Sequence, residues 1–166
     1  SGAAGSSESV IGDTAPGQAR VAVEPVTPRA ADALQVIIQQ EAPDVDGDAV
    51  SYKVKWLCNG QDASSRAKDR SVAARVIKKG EVWQALVTAT DKTLDGAVSP
   101  SVEVRVADTP PGAPVVGVTP ATPRTDDLLA VKVTKASVDV DGDAVTYRYR
   151  WFVDGALQDI AQDKVP

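Results

Sequence analysis

Apolar and polar residues alternate along short segments of the chain. The clearest segment runs from 50 to 58, where every second residue is apolar or aromatic: Val50, Tyr52, Val54, Trp56 and Cys58. Polar residues, among them Lys53 and Lys55, lie between them. A period of two is typical of a strand that buries one face and exposes the other. The segment 145–153 alternates in the same way, so we predict a half-buried strand at both places.

Seven strands are predicted between residues 19 and 106. Their ranges are 19–24, 33–40, 49–58, 61–66, 71–78, 81–90 and 98–106. Turn-forming residues separate them at Pro25 and Pro28, 44–48, Asn59-Gly60, Lys79-Gly80 and Asp95-Gly96. Several short strands without a helix are typical of a Greek-key β-sandwich of immunoglobulin type. We therefore predict an all-β fold.

The chain contains two copies of one module. A shift of 95 residues, which takes Asp13 to Asp108, aligns DTAPGQARVAVEPVTPRAADALQV with DTPPGAPVVGVTPATPRTDDLLAV. The same shift aligns DVDGDAVSYKVKWLCNG with DVDGDAVTYRYRWFVDG. The segment RAADALQVIIQQ alone could form an amphipathic helix, because Ala, Leu and Gln favour that state. Its counterpart RTDDLLAVKVTK alternates like a strand, and both copies must adopt one fold, so both segments are predicted to be strands.

The repeat divides the chain into three predicted parts. Residues 1–13 are small and polar and are expected to form a flexible leader. Residues 14–108 form one complete sandwich, and 109–166 the first half of a second. Everything after Ser71 in the first copy, including KKGEVWQALVTATD, has no counterpart in the second. Three explanations stay open: a piece cut from a longer tandem array, strands supplied by another chain, or a disordered half-module.

Composition removes several classes of function. The 166 residues include no His and a single Cys, and the formal net charge is -5. Without an imidazole, Ser-His-Asp and Cys-His catalysis and His-ligated zinc or haem are excluded. One cysteine forms neither an internal disulfide nor a cysteine zinc cluster. We expect no membrane-spanning segment, because no apolar run approaches about 18 residues, and no nucleic-acid partner, because the balance is acidic.

The most specific motif is the run DVDGDAVTYRYRW, followed by a DG turn. Together with KKGEVWQALVTATD in the first copy, it resembles tandem immunoglobulin-like domains of bacterial extracellular proteins of the PKD-like, cadherin-like and fibronectin type III-like kinds. The resemblance implies export to the cell surface or extracellular space of a bacterium, or to its periplasm. It also implies a spacer, stalk or adhesion role, with neighbouring repeats of the same parent protein, a cell-surface protein or a polysaccharide as partners.

Three aspartates within five residues stand in each copy, and they are Asp44, Asp46 and Asp48, then Asp139, Asp141 and Asp143. Such carboxylates repel one another unless solvated or neutralised, and oxygen ligands around a Gly turn suit Ca²⁺. In a sandwich, the loop that carries Asp91 lies at the same end as the first run. We predict one Ca²⁺ held by Asp44, Asp46, Asp48 and Asp91. We predict a second held by Asp139, Asp141, Asp143 and Asp108, which would stiffen the linker between the copies.

A metal-free turn is the alternative for both aspartate runs. In an Asp-Gly-Asp turn the carboxylates accept backbone N–H groups and the glycine takes a positive φ. The spacing also differs from that of an EF-hand, which needs an acid at the twelfth position of the loop that begins with the first ligand. Ca²⁺ and a metal-free turn therefore both stay open.

The sequence predicts no enzyme, but a non-catalytic structural or adhesive spacer, with Ca²⁺ as its one candidate cofactor. Two other functions stay open: a carbohydrate- or ligand-binding accessory module of a secreted enzyme, and an assembly subunit completed by strands from a partner chain. Exposed aromatic residues would favour the accessory module. Trp56, Trp83 and Trp151 fall at inward positions instead, so core packing is predicted for them.

Overall fold

The computed structural model describes residues 11–158 and the backbone of 164–165. The chain divides into two compact units, of which the first ends at Asp108 and the second begins at Thr109. Within the described residues the regular structure is strand, apart from one 3-10 turn at Ser64–Arg66. In this part of the chain no helix has the length and apolar character needed to cross a membrane.

The first unit consists of two antiparallel sheets. Its strands are β1 (Arg20–Glu24), β2 (Leu34–Gln40), β3 (Ser51–Cys58), β4 (Gln61–Asp62), β5 (Ser71–Val72), β6 (Val82–Thr90), β7 (Asp95–Pro100) and β8 (Val104–Arg105). One sheet has the order β1-β2-β5, and the other has the order β4-β3-β6-β7, with β8 also paired to β6. The central pair β3–β6 is in continuous register from Ser51 opposite Thr90 to Cys58 opposite Trp83.

The two sheets share one hydrophobic core, to which the alternating positions of each strand contribute. Its buried members are Val21, Val23, Leu34, Val36, Trp56, Ala63, Val72, Ile77, Trp83, Ala85, Val87, Val104 and Val106. Trp56 and Trp83 meet edge to face, with ring centroids 6.2 Å apart and planes at 73°, a favoured aromatic geometry. The indole N–H of Trp56 donates to the Asp69 carbonyl at 3.1 Å. The predicted core positions of both tryptophans are thus confirmed.

Strands β1, β2, β3 and β6 lie within two residues of their predicted bounds. The predicted strand 61–66 is wrong after Asp62. There the Asp62 carboxylate accepts the Ser64 N–H at 2.9 Å, and the Ser64 hydroxyl accepts the Trp56 N–H at 3.2 Å. Such side-chain bonds replace the ladder and turn the chain. The predicted strand 71–78 is also wrong after Val72.

The predicted turn at Asp95-Gly96 is wrong, because both residues belong to β7. The chain reverses earlier, where the Asp91 carboxylate accepts the N–H groups of Thr93 and Leu94. The predicted last strand is divided into β7 and β8 at Ser101. The Ser101 hydroxyl accepts the Ala85 N–H at 3.0 Å, so a side chain completes the ladder where the backbone register shifts.

The second unit contains two smaller antiparallel sheets among its described residues. Its strands are β9 (Val115–Thr119), β10 (Leu129–Lys135), β11 (Trp151–Val153), β12 (Ala156–Gln158) and β13 (Lys164–Val165). One sheet has the order β13-β10-β9, and β11 and β12 form a hairpin. The hairpin turn at Asp154-Gly155 has φ values of 48° and 80°, close to the 51° and 77° of Asn59-Gly60. Both turns belong to the kind that joins adjacent antiparallel strands.

Residues 146–150 are not in a strand, although their counterparts 51–55 lie in β3. The predicted strand is therefore found only at Trp151–Val153. The alternation of half-buried and exposed residues persists from 145 to 151. In the first unit β6 pairs along the whole of β3, whereas no described strand pairs with 146–150. A ladder requires a neighbour, so the pattern alone does not make a strand.

Candidate metal centre

The first aspartate of each run builds the turn that follows it. The Asp44 Oδ1 atom accepts the N–H groups of Asp46 and Asp48 at 3.0 and 3.1 Å. Gly47 between them has a φ of 81°, which glycine adopts at low cost. The turn hypothesis is therefore correct for the Asp44 Oδ1 atom. The Asp44 Oδ2 atom is different, because it is buried and has no hydrogen-bond donor.

Asp46 connects the segment before β1 to this loop through a hydrogen bond. Its Oδ2 atom accepts the Thr14 N–H at 2.7 Å. Nearby, the Gly17 N–H donates to the Pro43 carbonyl at 2.8 Å. The contact brings the residues just before β1 to the same end of the sandwich as the 44–48 loop. Asp13, which immediately precedes Thr14, therefore lies beside the loop.

Asp91 contributes a buried carboxylate from the other sheet. It is 6% exposed, and its Oδ1 atom accepts the N–H groups of Thr93 and Leu94, both at 2.7 Å. Its Oδ2 atom is buried and has no hydrogen-bond partner. A buried carboxylate oxygen without a donor is costly for the folded state, because it has lost water and gained nothing. A cation would supply the missing interaction.

The electrostatics of Asp13 show which carboxylates are neighbours. Loss of solvent around the carboxyl, followed by the negative charges of Asp91, Asp48 and Asp46, raises the pKa of Asp13 above its usual value. A raised carboxyl pKa means that the ionised form is disfavoured in the folded protein. None of the ion pairs among the described residues involves these four residues or Asp44. Among the described residues, no Lys or Arg therefore forms an ion pair with this acidic end of the first unit.

Asp46, Asp48 and Asp91 of the predicted ligand set thus lie close enough to Asp13 to raise its pKa, and Asp13 itself was not in that set. The signal for Asp13 was present in the sequence. The shift of 95 residues makes Asp13 the counterpart of Asp108, and Asp108 was assigned to the second ion. We call Asp13, Asp44, Asp46, Asp48 and Asp91 the acidic cluster of the first unit.

The second unit repeats the loop geometry. The Asp139 Oδ1 atom accepts the N–H groups of Asp141 and Asp143 at 2.8 and 3.3 Å. The Asp141 Oδ2 atom accepts the Thr109 N–H at 2.7 Å, the counterpart of the Asp46 contact with Thr14. The Asp141 Oδ1 atom is buried without a hydrogen-bond partner. Asp108, the last residue of the first unit, is exposed and lies 3.2 Å from the ammonium group of Lys79.

A second polar group, centred on Glu81, is neutralised internally. Its carboxylate accepts the Trp83 indole N–H at 3.0 Å and the Lys78 N–H at 2.9 Å, and it pairs with Arg66 at 3.0 Å. The Arg66 guanidinium also lies 4.7 Å from the centroid of the Trp83 ring. Burial opposes ionisation, but these hydrogen bonds and the Arg66 charge hold the pKa of Glu81 below its usual value. The Glu81 carboxylate oxygens accept all these hydrogen bonds from donors within the protein, so this group stabilises the fold.

Cys58 lies next to that group and is half-buried. Burial and then the charge of Glu81 raise the pKa of its thiol. A raised pKa keeps the thiol protonated and unreactive. Cys58 therefore packs against the core as a hydrophobic residue would.

The comparisons with known proteins add little to this geometry. No family model matches the chain, and no curated protein matches it. Among solved structures, the chain is similar to the FN1-FN3 domains of chicken CNTN1, which are fibronectin type III domains. The identity is 18% and the TM-score is 0.34, and the match covers 72% of this chain and 40% of that chain. We draw no conclusion from a likeness at this TM-score. The strands of the described residues form antiparallel sheets.

Proposed function

We propose that the chain is a non-catalytic structural or adhesive spacer that Ca²⁺ stiffens at the ends of its modules. The observation that carries the proposal is the Asp91 carboxylate, which is 6% exposed and has one oxygen without a hydrogen-bond partner. It belongs to the acidic cluster of the first unit, whose carboxylates form no ion pair with a described Lys or Arg. Hard carboxylate oxygens in this number are typical ligands of Ca²⁺.

The residues fit a Ca²⁺ site better than a metal-free turn alone. The Oδ1 atoms of Asp44 and Asp91 hold the two loops in shape through backbone N–H groups. Their Oδ2 atoms have no such role. Together with Asp13, Asp46 and Asp48 they would supply carboxylate oxygens from three separate segments of the chain. An ion held there would join the segment before β1, the 44–48 loop and the turn after β6, which is how a spacer gains stiffness at its end.

The repeat extends the proposal to the second unit, where Asp139, Asp141 and Asp143 form the same loop. Asp108 keeps its sequence-based assignment as their companion ligand. We further propose that the units are tandem Greek-key sandwiches of an immunoglobulin-like or fibronectin type III-like kind, the second incomplete. The sequence resemblance supports export to the surface or extracellular space of a bacterium, with neighbouring repeats and surface proteins or polysaccharides as partners.

The test is calorimetric titration of the full chain with Ca²⁺, together with unfolding followed in Ca²⁺ and in chelator. We expect saturable binding and a higher free energy of unfolding in Ca²⁺. At a free Ca²⁺ concentration about 100 times the Kd, the gain is about 2.7 kcal/mol. No heat of binding and no change on chelation would contradict the proposal and leave a plain spacer with metal-free turns.

The variant Asp91→Asn separates the two interpretations of the cluster. Asn keeps an oxygen that accepts the N–H groups of Thr93 and Leu94, but it removes one negative charge. In chelator we expect the variant to be as stable as the original chain or more stable, because repulsion within the cluster falls. In Ca²⁺ we expect it to be less stable, because a ligand charge is lost. The control is Asp95→Asn. In the original chain the exposed Asp95 carboxylate pairs with Lys53 and does not belong to the cluster. The response of this variant to Ca²⁺ should therefore match that of the original chain.

A further inference from the structure

One edge of the first unit is basic, although the whole chain has a net charge of -5. Residues 68–79 contain five cations and a single acid, Asp69. One of these cations, Lys79, is paired with Asp108. The other four, which we call the basic edge, are Lys68, Arg70, Arg75 and Lys78. Among the described residues, no carboxylate forms an ion pair with any of the four.

The backbone spreads the basic edge along the side of a sheet. β5 is the outermost strand in the order β1-β2-β5, and the residues around it follow the segment 30–36. The Val36 N–H donates to the Arg70 carbonyl, and the Arg75 N–H donates to the Ala30 carbonyl, both at 2.8 Å. At about 3.3 Å for each residue of extended chain, Arg70 and Arg75 lie at most about 17 Å apart. The cations therefore follow one another in a row along the edge.

The side chains of this row are accessible. Three of the four cations are exposed, and the fourth is half-buried. The exposed side chains between Arg70 and Arg75 are those of Ala73 and Ala74, which are short and leave the space beside the row clear. The Arg70 guanidinium lies 5.4 Å from the centroid of the Tyr52 ring, a contact that holds the charge in place without neutralising it.

Arg75 occupies a position that a turn alone would not give to arginine. Its φ is 67°, in the left-handed region, where glycine is favoured and asparagine is tolerated better than most other residues. Non-glycine residues in this region are strained, and such residues concentrate at functional sites. The strain at Arg75 is therefore an observation, separate from the charge count, that points to a use for its guanidinium group.

The chemistry of the basic edge suits a linear polyanion. Guanidinium groups bind carboxylates through two parallel N–H bonds, and a row of cations matches charges that recur along a polymer. No large apolar side chain is exposed between Arg70 and Arg75. A protein partner would need an apolar centre, and a membrane surface would need apolar groups that insert. The net charge of -5 opposes binding to nucleic acid.

We propose that the basic edge binds a linear acidic polysaccharide through the carboxylate groups of its uronic acid units. The polymer lies along β5, and successive carboxylates meet successive cations of the row. This inference gives the polysaccharide partner of the proposed function a chemical class and a site. It rests on the cations and not on the aspartate runs, so binding of the polymer does not require Ca²⁺.

The test is calorimetric titration of the full chain with polygalacturonate, at low ionic strength and in chelator. The chelator prevents Ca²⁺ from bridging carboxylates of the polymer to the acidic cluster. We expect saturable binding that weakens as the salt concentration rises, because salt screens exposed charges. Neutral dextran should not bind, since it has no carboxylate groups.

A double variant, Arg75→Asn with Lys78→Gln, removes two charges of the row. Asn tolerates the left-handed φ at this position, so the turn should persist. Each lost surface ion pair weakens binding by about two- to fivefold, and we expect the affinity of the double variant to fall by about tenfold. The matched control is Lys53→Gln with Lys55→Gln, which changes the net charge equally on β3 and should leave the affinity unchanged. Urea unfolding followed by tryptophan fluorescence checks that both variants fold.

Three results would overturn the proposal. The first is the absence of binding to polygalacturonate. The second is an equal loss of affinity in both double variants, which would mean that net charge and not the basic edge governs binding. The third is binding of duplex DNA or of anionic phospholipid vesicles at least as tightly, which would identify a nucleic acid or a membrane as the partner. None of these results affects the Ca²⁺ titration, so the two proposals fail separately.

Discussion

Gly96 in β7 lies against the backbone of the segment before β1. A Cβ atom at this position would lie 2.2 Å from the Pro16 carbonyl oxygen and 3.1 Å from the Pro16 carbonyl carbon. Gly96 does not have a positive φ, so the backbone itself would accept alanine, and the conflict is steric alone. In Gly96→Ala the segment around Pro16 must therefore move away by most of an ångström, because backbone cannot yield as a flexible side chain does.

The magnitude follows from two opposing effects. Forcing an extra carbon into a packed site costs about 1–3 kcal/mol. Replacing glycine by alanine also restricts the unfolded chain, which returns about 0.4–1 kcal/mol. The displaced segment holds further hydrogen bonds, from Thr14 to Asp46 and from Ala19 to Ser99. We expect the free energy of unfolding of the first unit to fall by about 1–2 kcal/mol.

Urea unfolding followed by tryptophan fluorescence measures this change, because Trp56 and Trp83 report on the core of the first unit. Gly12→Ala is the matched control, since a Cβ there meets no atom within 4 Å, and it should change stability little. Gly96→Ala should also weaken Ca²⁺ binding without altering any carboxylate, because Asp13 moves with its segment. If Gly96→Ala is as stable as Gly12→Ala, the segment around Pro16 does not pack on β7 and the reasoning is refuted.

Three more variants test single interactions. Tyr52→Phe removes the hydroxyl that accepts the Ala42 N–H at 2.9 Å; we expect a loss of about 0.5–1.5 kcal/mol and faster amide exchange at Ala42. Ser101→Ala leaves the Ala85 N–H without its acceptor in the core; urea unfolding should show a loss of about 1–3 kcal/mol, and an unchanged midpoint would contradict the role of the hydroxyl. For Glu81 the folded pKa lies below its ordinary value of 4.5, so its stabilisation is present above that pH and is lost as pH falls towards the folded pKa. Thermal unfolding of Glu81→Gln between pH 3 and 7 should therefore show a deficit at neutral pH that narrows below about pH 4.5; a constant deficit would exclude an ionised Glu81 as its source.

The acidic cluster has features of both a metal-free turn and a cation site, the two structures that the aspartate runs allowed. Asp44 builds a turn with one oxygen, as a metal-free loop would require. Its other oxygen and one of Asp91 are buried without donors, as a cation site would require. The two roles belong to different atoms of one carboxylate, so a motif that predicts a turn does not argue against a metal.

The sequence by itself determined features that depend on neighbouring residues. Alternation from 50 to 58 placed Trp56 on the buried face, because successive side chains of an extended chain point to opposite sides. Asn59-Gly60 marked a hairpin turn, because those residues adopt a positive φ readily. The repeat revealed that 33–40 is a strand, although local propensity also allowed a helix.

Only the tertiary structure decided features that depend on distant segments. Asp91 is a buried turn residue, and Asp95 lies in β7. The pairing of β6 with β7 decides both positions, and the local Asp-Gly pattern does not. Asp13 joined Asp46 through a contact between Thr14 and a loop 32 positions away. The same alternation became a strand at 51–55 and not at 146–150, because hydrogen bonds of a sheet come from a partner strand, and β6 is the partner that the first unit provides.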